Sequence, residues 1–198
     1  MDPTILAYIA GFLDGDGSVF FQLIRKKDYC FGFQIRASIA FYQKTENEQI
    51  LLWLKSKLSS GYIRRRKTGI SDYTIVEPRE VRRILELLQP YVRLKQEHLR
   101  LGLEILGRLP EASDATRLIS LCRLVDRFRD LNYSKKRTVT SESVEEHLKS
   151  RGYLAPVETD PKGESRRFRP AANTPTAFVG KRRMKVQSMP LEIVELHA

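Results

Sequence analysis

Apolar and polar positions along this chain follow two periods, and the switches between them mark the elements. From Thr4 to Asp14 the residues Ile5, Leu6, Ile9, Phe12 and Leu13 recur at helical spacing, and Asp2-Pro3 supplies a start signal. Strands are expected at 18–27 and 31–42. In the second, Phe33, Ile35, Ala37, Ile39 and Phe41 alternate with Gln34, Arg36, Ser38, Ala40 and Tyr42, which gives one apolar face and one mainly polar face. Helical spacing returns over 46–58 through Ile50, Leu51, Leu54 and Leu58. Two shorter strands, 61–67 and 72–77, flank Lys67-Thr68-Gly69. Helices are then expected at 79–88, 94–108 and 114–130, the last capped by Ser113 or Asp114. Capping residues from Thr140 lead into a short helix ending near Ser150. The order is α-β-β-α-β-β-α followed by three helices, an α+β arrangement without an internal repeat.

From Ala155 the periodicity fades, and prolines at 156, 161, 170, 175 and 190 punctuate the chain. The expected division is a folded domain over 1–154 and an extended, basic, proline-containing tail over 155–198. Charge changes the picture next. The chain carries 35 Lys and Arg against 24 Asp and Glu, a net +11. The tail holds only eight basic and five acidic residues, so most of the excess belongs to the folded part. Such an excess suits a polyanionic partner, nucleic acid first. Cys30 and Cys122 fit neither a disulfide framework nor a metal-ligand spacing, which points to a reducing compartment. No apolar run approaches a membrane span, and no charged region precedes the first apolar stretch as a signal peptide requires. The expectation is therefore no membrane partner and no secretion.

The chemistry concentrates where the first helix ends, in the run Leu13-Asp14-Gly15-Asp16-Gly17-Ser18. Ala7, Gly11 and Gly15 lie four residues apart, a small-residue stripe that permits close approach of a second helix. Asp16 is expected just past the helix C-terminus, where the helix dipole disfavours an anion. A divalent cation removes that conflict, since a carboxylate and helix carbonyls are hard oxygen ligands of the kind Mg²⁺ accepts. Pairing the helix with its twin about a two-fold axis would bring two copies of Asp16 together and build a phosphodiester-cleaving centre.

The run Tyr8-Ile9-Ala10-Gly11-Phe12-Leu13-Asp14-Gly15-Asp16-Gly17-Ser18 resembles the motif of the LAGLIDADG homing endonucleases. Further stretches at 41–45, 61–66, 71–75, 89–96 and 124–142 resemble the single-motif, homodimeric members encoded in organelle group I introns. The resemblance covers about residues 4 to 152. It implies the family fold, an α-β-β-α-β-β-α core with a four-stranded antiparallel DNA-binding sheet and additional C-terminal helices. It also implies metal-dependent cleavage of double-stranded DNA with Mg²⁺, for which Mn²⁺ substitutes. By position, Asp16 resembles the metal-binding catalytic acid, and the Gly15 carbonyl a further ligand. Gln43 and Lys95 resemble the polar residues that order water and balance charge, while Asp14 orients the motif turn. Asn47 departs from the basic residue that close relatives often carry there. An intron-encoded chain would act in a chloroplast or mitochondrion, and otherwise in the cytoplasm.

The polar face of the sheet suits a duplex groove. Outward positions are Gln22, Ile24 and Lys26; Gln34, Arg36, Ser38 and Ala40; Arg64 and Arg66; Asp72 and Thr74, with Tyr29 in the loop between the first two strands. Arginine matches guanine edges, glutamine adenine, and Asp72 would accept from cytosine. Strands of this length span about ten base pairs, so a dimer would read about twenty. Ser134, Lys135, Lys136 and Arg137 are placed for phosphate contacts. The alternative is a non-cleaving DNA- or RNA-binding relative, an intron maturase or regulator with intron RNA as partner.

Overall fold

A computed structural model describes residues 1–112, 114–132 and 139–154. The first helix, α1 (Pro3–Asp16), starts where the Asp2 carboxylate accepts the Thr4 and Ile5 N–H groups at 2.7 and 3.4 Å. Its inner face buries Leu6, Ile9, Ala10 and Leu13. The chain passes from α1 into β1 (Gly17–Arg25) with no intervening loop. A Cβ at Gly17 would lie 2.8 Å from the Leu13 backbone, so a glycine is what allows so direct a transition. A turn containing Gly32 in the left-handed region leads to β2 (Phe33–Lys44). A single 3₁₀ turn over 45–47 precedes α2 (Gln49–Leu58). The hairpin of β3 (Tyr62–Arg65) and β4 (Ile70–Ile75) comes next, then α3 (Pro78–Leu88), α4 (Gln96–Arg108), α5 (Ala115–Leu131) and α6 (Ser141–Ser150).

The four strands form one antiparallel sheet in the order β1-β2-β4-β3. Register sorts the side chains into two faces. Val19, Phe21 and Leu23 of β1, Ile35, Ala37, Ile39 and Phe41 of β2, and Tyr73 and Ile75 of β4 join the helices in one core. Phe21 stacks on Phe128 of α5 with ring centroids 4.8 Å apart, and Phe41 stacks on Tyr73 at 5.9 Å. The helices therefore cover one side of the sheet and leave the other open.

Most expected elements lie where the periodicity put them, within the usual uncertainty of ends. Asp114 caps α5 by accepting the Arg117 N–H at 2.8 Å, and Thr140 with Ser143 forms the capping box of α6. Two ends are corrected. α1 runs on through Asp16 instead of stopping before it, and Lys95 is the cap residue of α4, not a residue within it. The tail from 155 onward lies outside the described residues, as does the run Ser134–Arg137. Among the described residues no helix is long and apolar enough to cross a membrane.

Candidate active site

Asp14 and Asp16 leave the end of α1 with different fates. The Asp14 carboxylate accepts three successive backbone N–H groups, from Arg93 at 2.7 Å, Leu94 at 3.1 Å and Lys95 at 3.0 Å. Those amides sit just before α4, so Asp14 serves as the anion at the start of that helix. The Lys95 ammonium returns the contact by donating to the Asp14 carbonyl. Asp14 thus holds the segment that carries Lys95. Burial pushes the Lys95 pKa down, against the opposing pull of the nearby Asp14 and Asp16 charges.

Asp16 is exposed, and among the described residues no hydrogen bond or ion pair engages its carboxylate. Gln43 approaches from β2. Gly17 pairs with Phe41, so Gln43 lies two residues further along, at the strand end where α1 enters the sheet and on the same face as Phe41. Its Oε1 accepts the Lys44 N–H at 2.9 Å, which leaves the amide NH₂ as its outward donor. The fold brings Asp16 and Lys95 together at one end of α1 and delivers Gln43 to the same end of the sheet.

The donor set fits a hard divalent cation. Asp16 offers an unpaired carboxylate, and the helix ends here, so the Gly15 carbonyl has no helical amide ahead of it. Among the described residues no three His, Cys, Asp or Glu side chains cluster as a metal cage. A cation held here would draw its remaining ligands from water, phosphate or a second chain, the manner usual for Mg²⁺.

The outer face of α1 is bare. Ala7, Gly11 and Gly15 are exposed, and a Cβ added at Gly11 or Gly15 would meet nothing within 4 Å. The stripe does not pack against the chain's own sheet. Beside it Tyr8 is also exposed, with its ring edge-on to Trp53 of α2 at 5.4 Å.

On the open side of the sheet, cross-strand register collects the expected outward residues on one face. Gln22 pairs with Arg36, Ile24 with Gln34, Ala40 with Thr74, and Arg64 with Asp72. Lys26 and Tyr29 lie in the turn beyond, and Tyr29 is exposed. Sharing a face does not make all of them accessible, however. Ser38, Ala40, Asp72 and Thr74 are buried. Ser38 is a small side chain opposite Phe20, and Ala40 lies between Ser18 and Thr74 in the register.

Asp72 needs the firmest correction. It is not a free acceptor for a base. Its Oδ1 accepts from Arg64 Nε at 3.3 Å, Arg64 Nη2 at 3.2 Å and Arg66 Nε at 2.6 Å, and its Oδ2 accepts from the Thr74 hydroxyl at 3.1 Å. Burial pushes this carboxyl up, but the bonds from Arg66, Arg64 and Thr74 outweigh burial and hold it below the usual range. The Arg66 guanidinium also lies over the Tyr42 ring at 5.5 Å. Both arginines remain partly exposed, so Asp72 aims them from beneath.

Sequence reasoning missed Glu48 and Arg65. Glu48 is buried between α2 and the β3–β4 hairpin, and Arg65 is its partner. One signal was available. Arg65 shares the core-facing parity of Ile63, and a charged residue at such a position calls for a partner.

A family model described as LAGLIDADG endonuclease matches residues 9–103. The chain is 35% identical over 153 residues to the DNA endonuclease I-CvuI of Chlorella vulgaris, covering 77% of this chain and 95% of that protein. It is 37% identical over 150 residues to the DNA endonuclease I-CreI of Chlamydomonas reinhardtii, covering 75% and 91%. The crystal structure of the homing endonuclease I-CvuI with its target, in the presence of Ca, superposes with a TM-score of 0.72 over 75% of this chain and 95% of that one. A second structure of I-CvuI, with the I-CreI target and Mg, matches equally and holds uncleaved DNA.

Proposed function

The chain belongs to the LAGLIDADG homing endonucleases and is a DNA endonuclease, and from that premise we propose that two copies act together to cut both strands of a long, nearly palindromic duplex. The observation that carries this reading is the end of α1: an unpaired, exposed Asp16 beside Lys95, on a helix whose outer face is a bare stripe of small residues. That stripe suits the twin helix of a second copy, which would bring two Asp16 carboxylates side by side.

Asp16 and the Gly15 carbonyl are the residues that would hold Mg²⁺, with Mn²⁺ as a substitute. The bound ion supplies Lewis acidity toward the phosphate. The reaction adds water to phosphorus and breaks one P–O ester bond. Lys95 is placed to offset the negative charge that develops on the phosphate. Gln43 holds water through its free amide NH₂. Asp14 keeps the Lys95 segment in place through the three amides it binds.

The open face of the sheet is the DNA-reading surface in this proposal. Arg64 and Arg66 suit guanine edges, Gln22 and Gln34 adenine, and Arg36, Lys26 and Tyr29 flank them. Asp72 and Thr74 contribute from below by fixing the arginines. The run Ser134, Lys135, Lys136 and Arg137 is assigned phosphate contacts from its sequence alone. The resemblance to members encoded in organelle introns favours an organelle as the place of action.

Cleavage of a randomised duplex library by the wild type and by Asp16→Asn, with Mg²⁺ and with Ca²⁺, tests the proposal. Site-specific double-strand cutting by the wild type alone, with Mg²⁺, is expected. Selective binding without any cutting would overturn it in favour of a non-cleaving relative.

A further inference from the structure

The turn between β2 and α2 is held by a polar network separate from the groups at the end of α1. Glu48, the residue before α2, is buried, and its carboxylate reaches sideways to both strands of the β3–β4 hairpin. Arg65 donates from Nε at 3.1 and 2.9 Å to the two carboxylate oxygens, and from Nη2 at 2.8 Å. The Ser71 hydroxyl donates to the same carboxylate at 2.7 Å and lies 3.1 Å from Thr45 Oγ1. The Thr45 N–H closes the loop by donating to the Gly69 carbonyl at 2.8 Å.

The position of this network gives it meaning. Ser71 is the cross-strand partner of Gln43, and Arg65 is the partner of Ser71. Strand alternation puts Arg64 and Asp72 on the opposite side of the same two strands, toward the groove. The hairpin thus has its groove-facing residues on one side and its attachment to the Gln43 turn on the other. The Arg65 side chain is 72% exposed, so the ion pair adds little stability. A bidentate guanidinium–carboxylate pair fixes geometry more than it contributes energy.

We infer that Glu48 is a positioning residue which, through Arg65 and Ser71, ties the placement of the groove-facing hairpin to the placement of Gln43. The inference rests on the reading of Gln43 as part of the cleavage centre and of the hairpin as a DNA reader. A duplex that seats the hairpin correctly then also sets the Gln43 amide, and a misfit under the hairpin is transmitted to the centre through Glu48.

The test uses the full chain and the duplex that the wild type selects from a randomised library. Single-turnover cleavage is measured with Mg²⁺ and affinity with Ca²⁺, for wild type, Glu48→Gln, Ser71→Ala and the double variant. The expected result is that Glu48→Gln cuts bound duplex about tenfold more slowly or worse, while its affinity stays within about threefold. Ser71→Ala should fall in the same direction, and the double variant should be no slower than the slower single one. Unchanged cutting by Glu48→Gln, or a loss fully restored by saturating DNA, would overturn the inference. If Glu48→Gln does not fold, Ser71→Ala decides on the same two readings. A wild type that cuts no duplex overturns the nuclease reading beneath it, whereas a wild type that cuts beside an unchanged Glu48→Gln overturns this inference alone.

Discussion

At the end of α1 an exposed carboxylate, Asp16, has no protein partner among the described residues, and a half-buried ammonium, Lys95, sits nearby. At the β3–β4 hairpin, two buried carboxylates, Asp72 and Glu48, are saturated by Arg64, Arg66 and Arg65. One region keeps its charges available, and the other has committed them internally. The contrast separates groups that would act on a phosphate from groups that would shape the proposed reading surface. The Asp16 carboxylate makes no hydrogen bond or ion pair within the described residues. Committed groups at the hairpin give up direct contact with a base in return for fixed arginines.

The largest expected effect lies at the free end. Asp16→Asn should lower single-turnover cleavage by about a thousandfold or more, the scale of losing the ligand for a catalytic cation. Its melting temperature should not fall, because no internal contact is lost and an unfavourable anion leaves a helix C-terminus. Substantial cutting by the purified variant would erase the distinction between the regions. Next comes Gly11→Leu, which blocks the bare face of α1. Sedimentation should give a monomer mass, and an unchanged dimer mass would move the interface elsewhere. Lys95→Met should slow cleavage by about a hundredfold with DNA affinity largely retained; a loss confined to affinity would make Lys95 a mere phosphate anchor.

The hairpin should respond in the opposite sense. Asp72→Asn should cost about 1–3 kcal/mol in denaturant unfolding, because it weakens buried hydrogen bonds. Its cleavage of the preferred site should change little, while tolerance of base changes under Arg64 and Arg66 widens. A selection profile identical to wild type would mean that the arginines aim themselves. The smallest effect is in acid. Arg65 and Ser71 draw the Glu48 carboxyl from 4.5 down to about 2. A depressed carboxyl stabilises the fold above its unfolded pKa and loses that contribution as pH falls through its folded one. Wild type should therefore lose its stability advantage over Glu48→Gln between about pH 4.5 and 2, and parallel pH profiles would refute the assignment.

Local pattern carried much of this in advance, and its failures share a cause. The periods of α1, β1 and β2 were legible because each reports a buried face within a few residues. That Arg64 shares one face of the sheet with Asp72 was legible for the same reason. Parity does not report depth, so Asp72 read as an open acceptor although Arg64 and Arg66 close over it. The α1 end was read short because two glycines near a turn of acids usually stop a helix. Residues 93–95, which satisfy the Asp14 carboxylate, come from far along the chain and leave no local signal. The Glu48–Arg65 pair is likewise set by the tertiary register of the hairpin against α2.

The span of the Asp14 contacts bears on when this chain becomes able to act. Asp14 and Lys95 are 81 positions apart, and all four strands with α2 and α3 lie in that interval. Closing so long a loop is entropically costly until the intervening sheet has assembled. A partly folded or truncated chain would carry the acid of α1 without the lysine beside it. Cutting competence therefore waits on assembly of the sheet that carries residue 95 back to residue 14.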